Sequence, residues 1–590
     1  MTKRVSGKTG ERVIDGVGVS AGIAIGVAHV VETGLGQLPE YEIDVSAVDA
    51  EAGRFRAALA KAQKQVGKLR QKTAGMPEGV AEELAPLLDA HAAMLGSSRL
   101  GKGIETQIRE RRINAEAAVQ HVVHDITEAF AAMKDPYLAA RVTDVRDVAG
   151  RVLRNLADKP YQAFSVLPKD AVIIADELSP ADTALLDPSR VAALATTAGG
   201  PEGHSAIMAR SMGLPAVLGV QGLLGKVRSG ERVLVDGEHG RIVISPSAET
   251  LAEFERKAEA RKRLERQLAR LRSLPAESRD GELIVLQANL ELPRDVEGAL
   301  TAGAEGVGLL RTEFLFMNRD TLPDEDEQYA VLRGIVEGLE GRPVTIRTLD
   351  VGGDKISTAL GGKIGVSPNP ALGLRGIRLS LAETKLFETQ IAAILRAGAH
   401  GPVRFLLPLI SSVEQIRQSR KVIQKVVRRL KRKGVRIADP VPPLGAMIEV
   451  PAAALMADGL AREVDYFAIG TNDLTSYALA IDRSDDAVAG LYNPLHPAVL
   501  RLIQFTVQAG HRAGIPVSIC GEIAGDPRYA PLLVGLGVRD LSMSSHSIPR
   551  VKQRVRAIDT GAATRRALAI MDQGDEGRIS ALLDDFNDSL

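Results

Sequence analysis

Eight short apolar runs in the second half of the chain constrain its fold more than any other feature. They read LIVLQANL (283–290), GVGLLRTE (306–313), VTIRTLDVGGD (344–354), VRFLLPLI (403–410), LGAMIEV (444–450), YFAIGTND (466–473), VSICGE (517–522) and DLSMS (540–544). Each ends in a polar or glycine-rich cluster, and segments of helical pattern separate them. Continuous apolar strands alternating with helices imply a parallel sheet covered on both faces. Eight such units over roughly 280 residues predict a (β/α)8 barrel of the TIM type, whose active site lies at the C-terminal strand ends. The residues ending these runs include Arg311, Glu313, Arg347, Asp350, Glu449, Asn472, Asp473, Cys520 and Glu522. Barrel geometry brings them to one mouth.

The first half reads differently. Residues 12–30 (RVIDGVGVSAGIAIGVAHV) are rich in glycine and β-branched residues and predict short strands. From about 44 to 157 alanine and charged residues dominate, and apolar positions recur at helical spacing. Leu84, Leu87, Leu88, His91 and Leu95 mark one such face, and Val119, Val122, Val123 and Ile126 another. This block predicts a bundle of about four or five antiparallel helices. Its His91, His121 and His124 are expected to be partly buried or surface residues, without a metal or catalytic role. Strand patterns return at 171–176, 191–197, 215–220 and 232–246, the last a hairpin with GEHG at its tip and His239 as an exposed turn residue. Residues 12–30 can complete a sheet only with these later strands, so the helical block is an insertion into a β/α domain. Residues 248–274 predict a helical linker with Leu251, Phe254, Ala258, Leu264, Leu268 and Leu271 on one stripe, either a solvated connector or a dimer seam.

At 590 residues the chain is too long for one core. The expected division is 1–40 and 158–246 as a swivelling β/α domain interrupted by the helical domain 41–157, then a linker 247–275, the barrel 276–558 and a tail 559–590. Lys+Arg and Asp+Glu both total 74, so bulk charge favours neither a nucleic acid nor an anionic membrane as partner. A single cysteine rules out an internal disulfide framework and fits a reducing compartment. The N-terminus lacks a signal-peptide core, and no apolar run reaches the ~18–20 residues that span a bilayer, so a cytoplasmic protein is expected.

Arg311 and Arg347 at neighbouring strand ends offer forked donors suited to phosphate or carboxylate, with Arg483 and Arg375 as further candidates. Glu449 and Asp473 close the fifth and sixth strands and suit a magnesium ion, which takes a few carboxylates plus substrate oxygens and water. Together these groups describe a small phosphorylated, carboxylated substrate. Cys520 reads either as a small buried hydrophobe or, at the mouth, as a proton-transfer group. In the first half, GGPEGHSAIMAR (199–210) places His204 between a glycine-rich loop and a helix that Gly213 and Pro215 stop. Free N–H groups at that helix start favour an anion, so a phosphoryl group on the imidazole would be stabilised there, with Arg210 near enough for a charge contact. The alternative is that His204 only caps the helix.

GGPEGHSAIMARSMGLPAVLG (199–219), GAEGVGLLRTEFLFMNRDTLP (303–323), TIRTLDVGGDK (345–355), NPALGLRGIRL (369–379), IEVPAAA (448–454), FAIGTNDLTSYALAIDR (467–483) and CGEIAGDP (520–527) occur in this order. They resemble enzyme I of the bacterial phosphotransferase system, the phosphoenolpyruvate-protein phosphotransferase family, over about residues 12–558. The resemblance implies that His204 is phosphorylated by phosphoenolpyruvate. Arg311 and Arg347 would bind the phosphate, and Arg483 and Asn472 the rest of the substrate. Glu449 and Asp473 would hold magnesium, and Cys520 would protonate the enolate carbon to release pyruvate. Thr183 would neighbour the reactive histidine. The helical block would dock an HPr-type phosphocarrier protein, and a homodimer would form through the barrels. The family usually has Thr-Ser before the histidine, where Glu202 and Gly203 stand here, so a slower-forming or shorter-lived phosphohistidine is expected. The competing readings are a pyruvate phosphate dikinase-like enzyme, for which residues 1–275 leave no nucleotide-binding domain, and a catalytically weak regulatory relay.

Overall fold

The computed structural model describes residues 10–31, 39–73, 78–96, 99–132, 136–157, 167–178, 186, 190–200, 204–317, 319, 321–352, 369–482 and 488–590. The chain divides into two compact units, Met1–Arg261 and Lys262–Leu590.

The first unit holds β1 (Arg12–Asp15), β2 (Val17–Ser20), β3 (Ile23–Val31), β4 (Ala171–Ala175), β5 (Val191–Thr196), β6 (Ala216–Leu218), β7 (Arg232–Asp236) and β8 (Arg241–Ile244). They form one sheet in the order β1-β8-β7-β3-β4-β5-β6-β2. β3 lies between β7, with which it runs antiparallel, and β4, with which it runs parallel from Val27↔Ala171 to Val31↔Ala175. Parallel neighbours need a long crossover. Here the crossover carries the helices Val48–Thr73, Glu78–Leu95, Arg99–Arg111, Ala115–Ala132 and Pro136–Leu156. β4 is buried along its whole length, as a strand covered on both faces must be.

The helices enclose their own core, in which Phe55, Val66, Ile104, Ile108, Val119 and Val152 are buried. Arg54 ties them together through Glu51 at 2.6 Å, Glu116 at 2.5 Å and the carbonyl of Leu156 at 3.1 Å. His91 is more deeply placed than its sequence suggested, with 1% exposure and Nε2 3.7 Å from an Asp144 carboxylate, because it shares the apolar face of Leu88 and Leu95. His121 pairs with Glu40 at 3.0 Å, and the exposed His239 with Asp236 at 2.9 Å. The helix Ala248–Leu271 packs Phe254 on Leu234 and Val243, and the boundary between the two units falls within it.

The second unit is a closed barrel of parallel strands: β9 (Val285–Leu290), β10 (Val307–Leu310), β11 (Val344–Arg347), β12 (Val403–Leu407), β13 (Leu444–Ile448), β14 (Tyr466–Ile469), β15 (Val517–Ile519) and β16 (Asp540–Met543). β16 closes on β9 through Asp540↔Val285 to Met543↔Ala288. Strand alternation sorts the side chains: Leu406, Met447, Tyr466 and Ala468 share one cluster with Cys520, while Phe405, Ile448 and Phe467 join the core beneath the helices. The tail forms two helices, Thr560–Met571 and Glu576–Asp588, whose Ile570, Ile579 and Leu583 pack on Leu495, Leu500 and Leu532. Among the described residues no helix is long and apolar enough to cross a membrane.

The parallel joint across the helical block depends on a close approach. Val27 N donates to the Asp170 carbonyl at 3.1 Å, and a Cβ on the adjacent Gly26 would lie 2.0 Å from that oxygen. Gly26→Ala is therefore expected to destabilise this sheet by about 1–3 kcal/mol. Amide hydrogen exchange checks it: exchange should quicken in β3 and β4 and stay unchanged in β9–β16.

Candidate active site

Every barrel strand runs in the same direction, so the residues that follow them crowd at one end. Arg311 follows β10, Arg347 ends β11, Leu409 follows β12, Glu449 follows β13, Asn472 and Asp473 follow β14, and Cys520 follows β15. At their centre stand three acids. One carboxylate oxygen from each of Asp350, Glu449 and Asp473 lies within 4.8 Å of the other two. The sequence pairs Glu449 with Asp473 as acids closing neighbouring strands, and the structure brings these two together. Asp350 was read only as a strand-end residue, although its spacing of three from Arg347 was the available signal.

Two guanidinium groups balance these acids. Arg347 contacts Glu313 at 3.0 Å and Asp350 at 3.0 Å, and its Nε has no hydrogen-bond partner among the described residues. Arg375 binds Asp350 through two nitrogens at 3.2 and 3.0 Å, and reaches Asp473 at 3.4 Å and the Tyr477 hydroxyl at 3.5 Å. Arg311 pairs with Glu291, and Asn472 exchanges hydrogen bonds of 3.0 and 2.9 Å with Glu522. Burial works against the charge on Arg347, but Glu313, Asp350 and Glu449 hold its pKa above the ordinary arginine value. Burial likewise works against the Asp350 carboxylate, which Arg347 and Arg375 keep below its usual range.

Glu449 behaves differently. Burial first, then the charges of Asp350 and Asp473, push its carboxyl up to about 8. Its Oε1 accepts the Leu409 N–H at 2.5 Å, and Leu409 adopts φ 54° to present that group, an uncommon conformation for a leucine. Three carboxylates this close, one of them reluctant to ionise, form a donor set that a hard divalent cation fits: it would supply the positive charge that the two arginines leave short. Cys520 is buried beside this set, 3.6 Å from the Ile469 carbonyl, and its carbonyl accepts from Asn289 at 3.1 Å. Burial, and after it the charge on Glu449, push its thiol up to about 12.

In the first unit the helix His204–Ser211 begins at His204, after the left-handed Gly199 at φ 104°. Ala206 and Ala209 bury that helix on the sheet, Ser205 Oγ donates to the Leu178 carbonyl at 2.9 Å, and Arg210 donates to the Val19 carbonyl at 3.4 Å. The His204 ring, Thr183, Glu202, Gly203 and Arg483 lie outside the described residues.

Cys520 is the only cysteine, so its chemistry can be read without interference. The native protein should react with iodoacetamide at pH 8 more than about a hundredfold slower than a free thiol of pKa ~8.5, and unfolding should abolish the difference. Near-normal reactivity in the native state would contradict the burial described.

Three family models match the chain: the PEP-utilising enzyme, N-terminal, at residues 15–141; the mobile domain of PEP-utilising enzymes at 167–240; and their PEP-binding domain at 265–560. A phosphoenolpyruvate-protein phosphotransferase of Cupriavidus necator is 42% identical over 552 residues, which cover 92% of this chain and 94% of that one. Proteins of the same name from Bacillus sp. and Geobacillus stearothermophilus are each 41% identical over 567 residues, covering 96% of both chains. With identity of this level over more than nine-tenths of both chains, and a PEP-binding-domain match over 265–560, the chain belongs to the phosphoenolpyruvate-protein phosphotransferase family.

Proposed function

We propose that the chain takes the phosphoryl group of phosphoenolpyruvate onto His204, releases pyruvate and passes the group to a histidine of an HPr-type phosphocarrier protein. This is the first step of the phosphotransferase system. The observation that carries the reading is the barrel mouth, where Arg311, Arg347 and Arg375 accompany the acids Asp350, Glu449 and Asp473. Such a set accommodates a substrate bearing both phosphate and carboxylate, and the relatives' shared name supports that substrate.

In this mechanism Arg311 and Arg347 bind the phosphate, and the Arg347 Nε–H, unpartnered among the described residues, is a donor for it. Arg375, Arg483 and Asn472 orient the remainder of the substrate. Glu449 and Asp473, with Asp350 beside them, would hold Mg2+, which neutralises charge on substrate oxygens. A neutral imidazole nitrogen of His204 attacks phosphorus, the bond from phosphorus to the enol oxygen breaks, and its electrons leave on the enolate. Positioning and charge neutralisation account for most of the catalysis in such a transfer. The Cys520 thiol, kept protonated by burial, then gives its proton to the enolate carbon and yields pyruvate. The charges of Arg347 and Arg311 ease the thiolate left behind.

The same histidine has to serve the barrel and the carrier, so domain rotation belongs to the cycle. The linker 247–275 is the proposed hinge between the phosphohistidine domain, 1–40 with 158–246, and the substrate-binding barrel, 276–558. The helical domain 41–157 docks the carrier, Thr183 and Arg210 support the phosphohistidine, the barrels pair in a homodimer, and the protein works in the cytoplasm.

Incubation with 32P-labelled phosphoenolpyruvate and Mg2+ should leave acid-labile label on the protein and none on His204→Ala. Label that requires ATP supports a dikinase instead, and no label at all supports a relay without catalysis. Replacing Glu202 and Gly203 by Thr and Ser should speed phosphorylation roughly two- to fivefold, the rate equivalent of the ~0.5–1 kcal/mol that a screened charge contact is worth. Rapid-quench kinetics measure this, and an unchanged rate removes the carboxylate from the account.

A further inference from the structure

Gln390 lies on the helix Thr384–Ala397, outside the barrel strands, yet both ends of its amide reach residues beside the site. It is 2% exposed. Its Oε1 accepts the Leu349 N–H at 2.9 Å, and its Nε2 donates to Thr312 Oγ1 at 3.1 Å. Thr312, fully buried, donates a hydrogen bond from its own hydroxyl to the Arg347 carbonyl at 2.8 Å. The direction of this chain is forced. Leu349 N–H can only donate, so the amide oxygen must face it, the amide nitrogen must face Thr312, and the threonine hydroxyl must point at Arg347.

Each residue gripped is next to, or is itself, a member of the site. Thr312 follows Arg311. Leu349 stands between Arg347 and Asp350. Arg347 donates its carbonyl. One side chain therefore clamps the ends of β10 and β11 against each other, and those ends carry both arginines proposed for the phosphate. Ordinary barrel pairing stops short of this point, since the last paired residues of the two strands are Leu310 and Ile346. Beyond them the paired ladder between these two strands ends; Glu313 bridges to Arg347 and the Asp350 N–H on the solvent side, and the Gln390–Thr312 chain adds a fully buried link behind the arginines. Successive hydrogen bonds of this kind polarise and stiffen one another.

We infer that Gln390, acting through Thr312 and Leu349, is a positioning residue that sets the spacing of Arg311 and Arg347 for the substrate phosphate. The inference rests on the functional reading above. Binding is measured in the full-length His204→Ala protein, which cannot turn the substrate over, by calorimetric titration with phosphoenolpyruvate in the presence of Mg2+. Gln390→Leu in that background should weaken binding between about tenfold and a hundredfold, as a displacement of the binding groups by a fraction of an ångström or more would. Thr312→Val, which keeps shape and leaves the Gln390–Leu349 bond intact, should cause a smaller loss of the same kind, and it serves if Gln390→Leu fails to fold. Gln390→Glu keeps the acceptor for Leu349 but offers Thr312 a donor only when protonated. Its deficit relative to the parent at each pH should therefore shrink as pH falls from about 8 to about 6, since burial raises a carboxyl pKa into that range. A purely structural role moves the melting temperature but not these affinities, taken well below each variant's transition. Folded Gln390→Leu or Thr312→Val protein that binds within twofold of the parent overturns the inference alone. A parent that takes up no phosphoenolpyruvate overturns the functional reading and this inference with it.

Discussion

The Arg347 guanidinium sits 3.0 Å from Glu313 and 3.0 Å from Asp350 with 11% of its side chain exposed, and an ion so placed needs partners on every side. Breaking one such contact leaves an uncompensated buried charge, which is far more costly than losing a surface pair. The arrangement at the barrel mouth follows from that constraint. Glu313 also accepts the Asp350 N–H at 3.0 Å, so the acid that satisfies Arg347 also fixes the loop carrying its second partner. Asp350 in turn gathers Arg375, which reaches Asp473. Glu449 is the acid left over, and its raised pKa records that the cations present do not cover all three carboxylates. A site with this imbalance is ready for a further positive charge and for an anionic substrate to arrive together.

The first unit is governed by a different constraint, the parallel pairing of β3 with β4. A parallel neighbour cannot be reached by a tight turn, and the crossover here is long enough to be a helical bundle with its own core. The histidine helix then sits on the same sheet, after strands supplied from both sides of that insertion. Covalent continuity thus links the helical bundle and the helix at His204 without requiring them to share a core.

Much of the barrel was legible because its signal is repeated. Each of the eight apolar runs contains the strand that forms, and the polar residues in or just after the ends of these runs identify the mouth. The helix at His204 was legible from the glycines before it and the Gly213–Pro215 stop after it. Glu313 is visible as a strand-end acid but its partner is not, because a salt bridge between residues 34 positions apart leaves no periodic trace, whereas the spacing of three between Arg347 and Asp350 does leave one. Gln390 was invisible for a stronger reason. A glutamine within an apolar helix reads as an ordinary polar position, and only the meeting of that helix with two strand ends gives its amide two buried groups to join.

By itself the sequence determined the repeated strand-helix order, the interrupted β/α domain and the set of residue types able to handle a phosphorylated acid, since these depend on local periodicity and on which side chain ends each run. Tertiary structure alone decided which acids share charge with which arginines, why Glu449 resists ionisation and Cys520 keeps its proton, and how the two arginine-bearing strand ends are held. Those outcomes depend on distance and burial between residues remote in the chain, and in a low-dielectric interior a change of an ångström in such a distance strongly alters the energy of a charge.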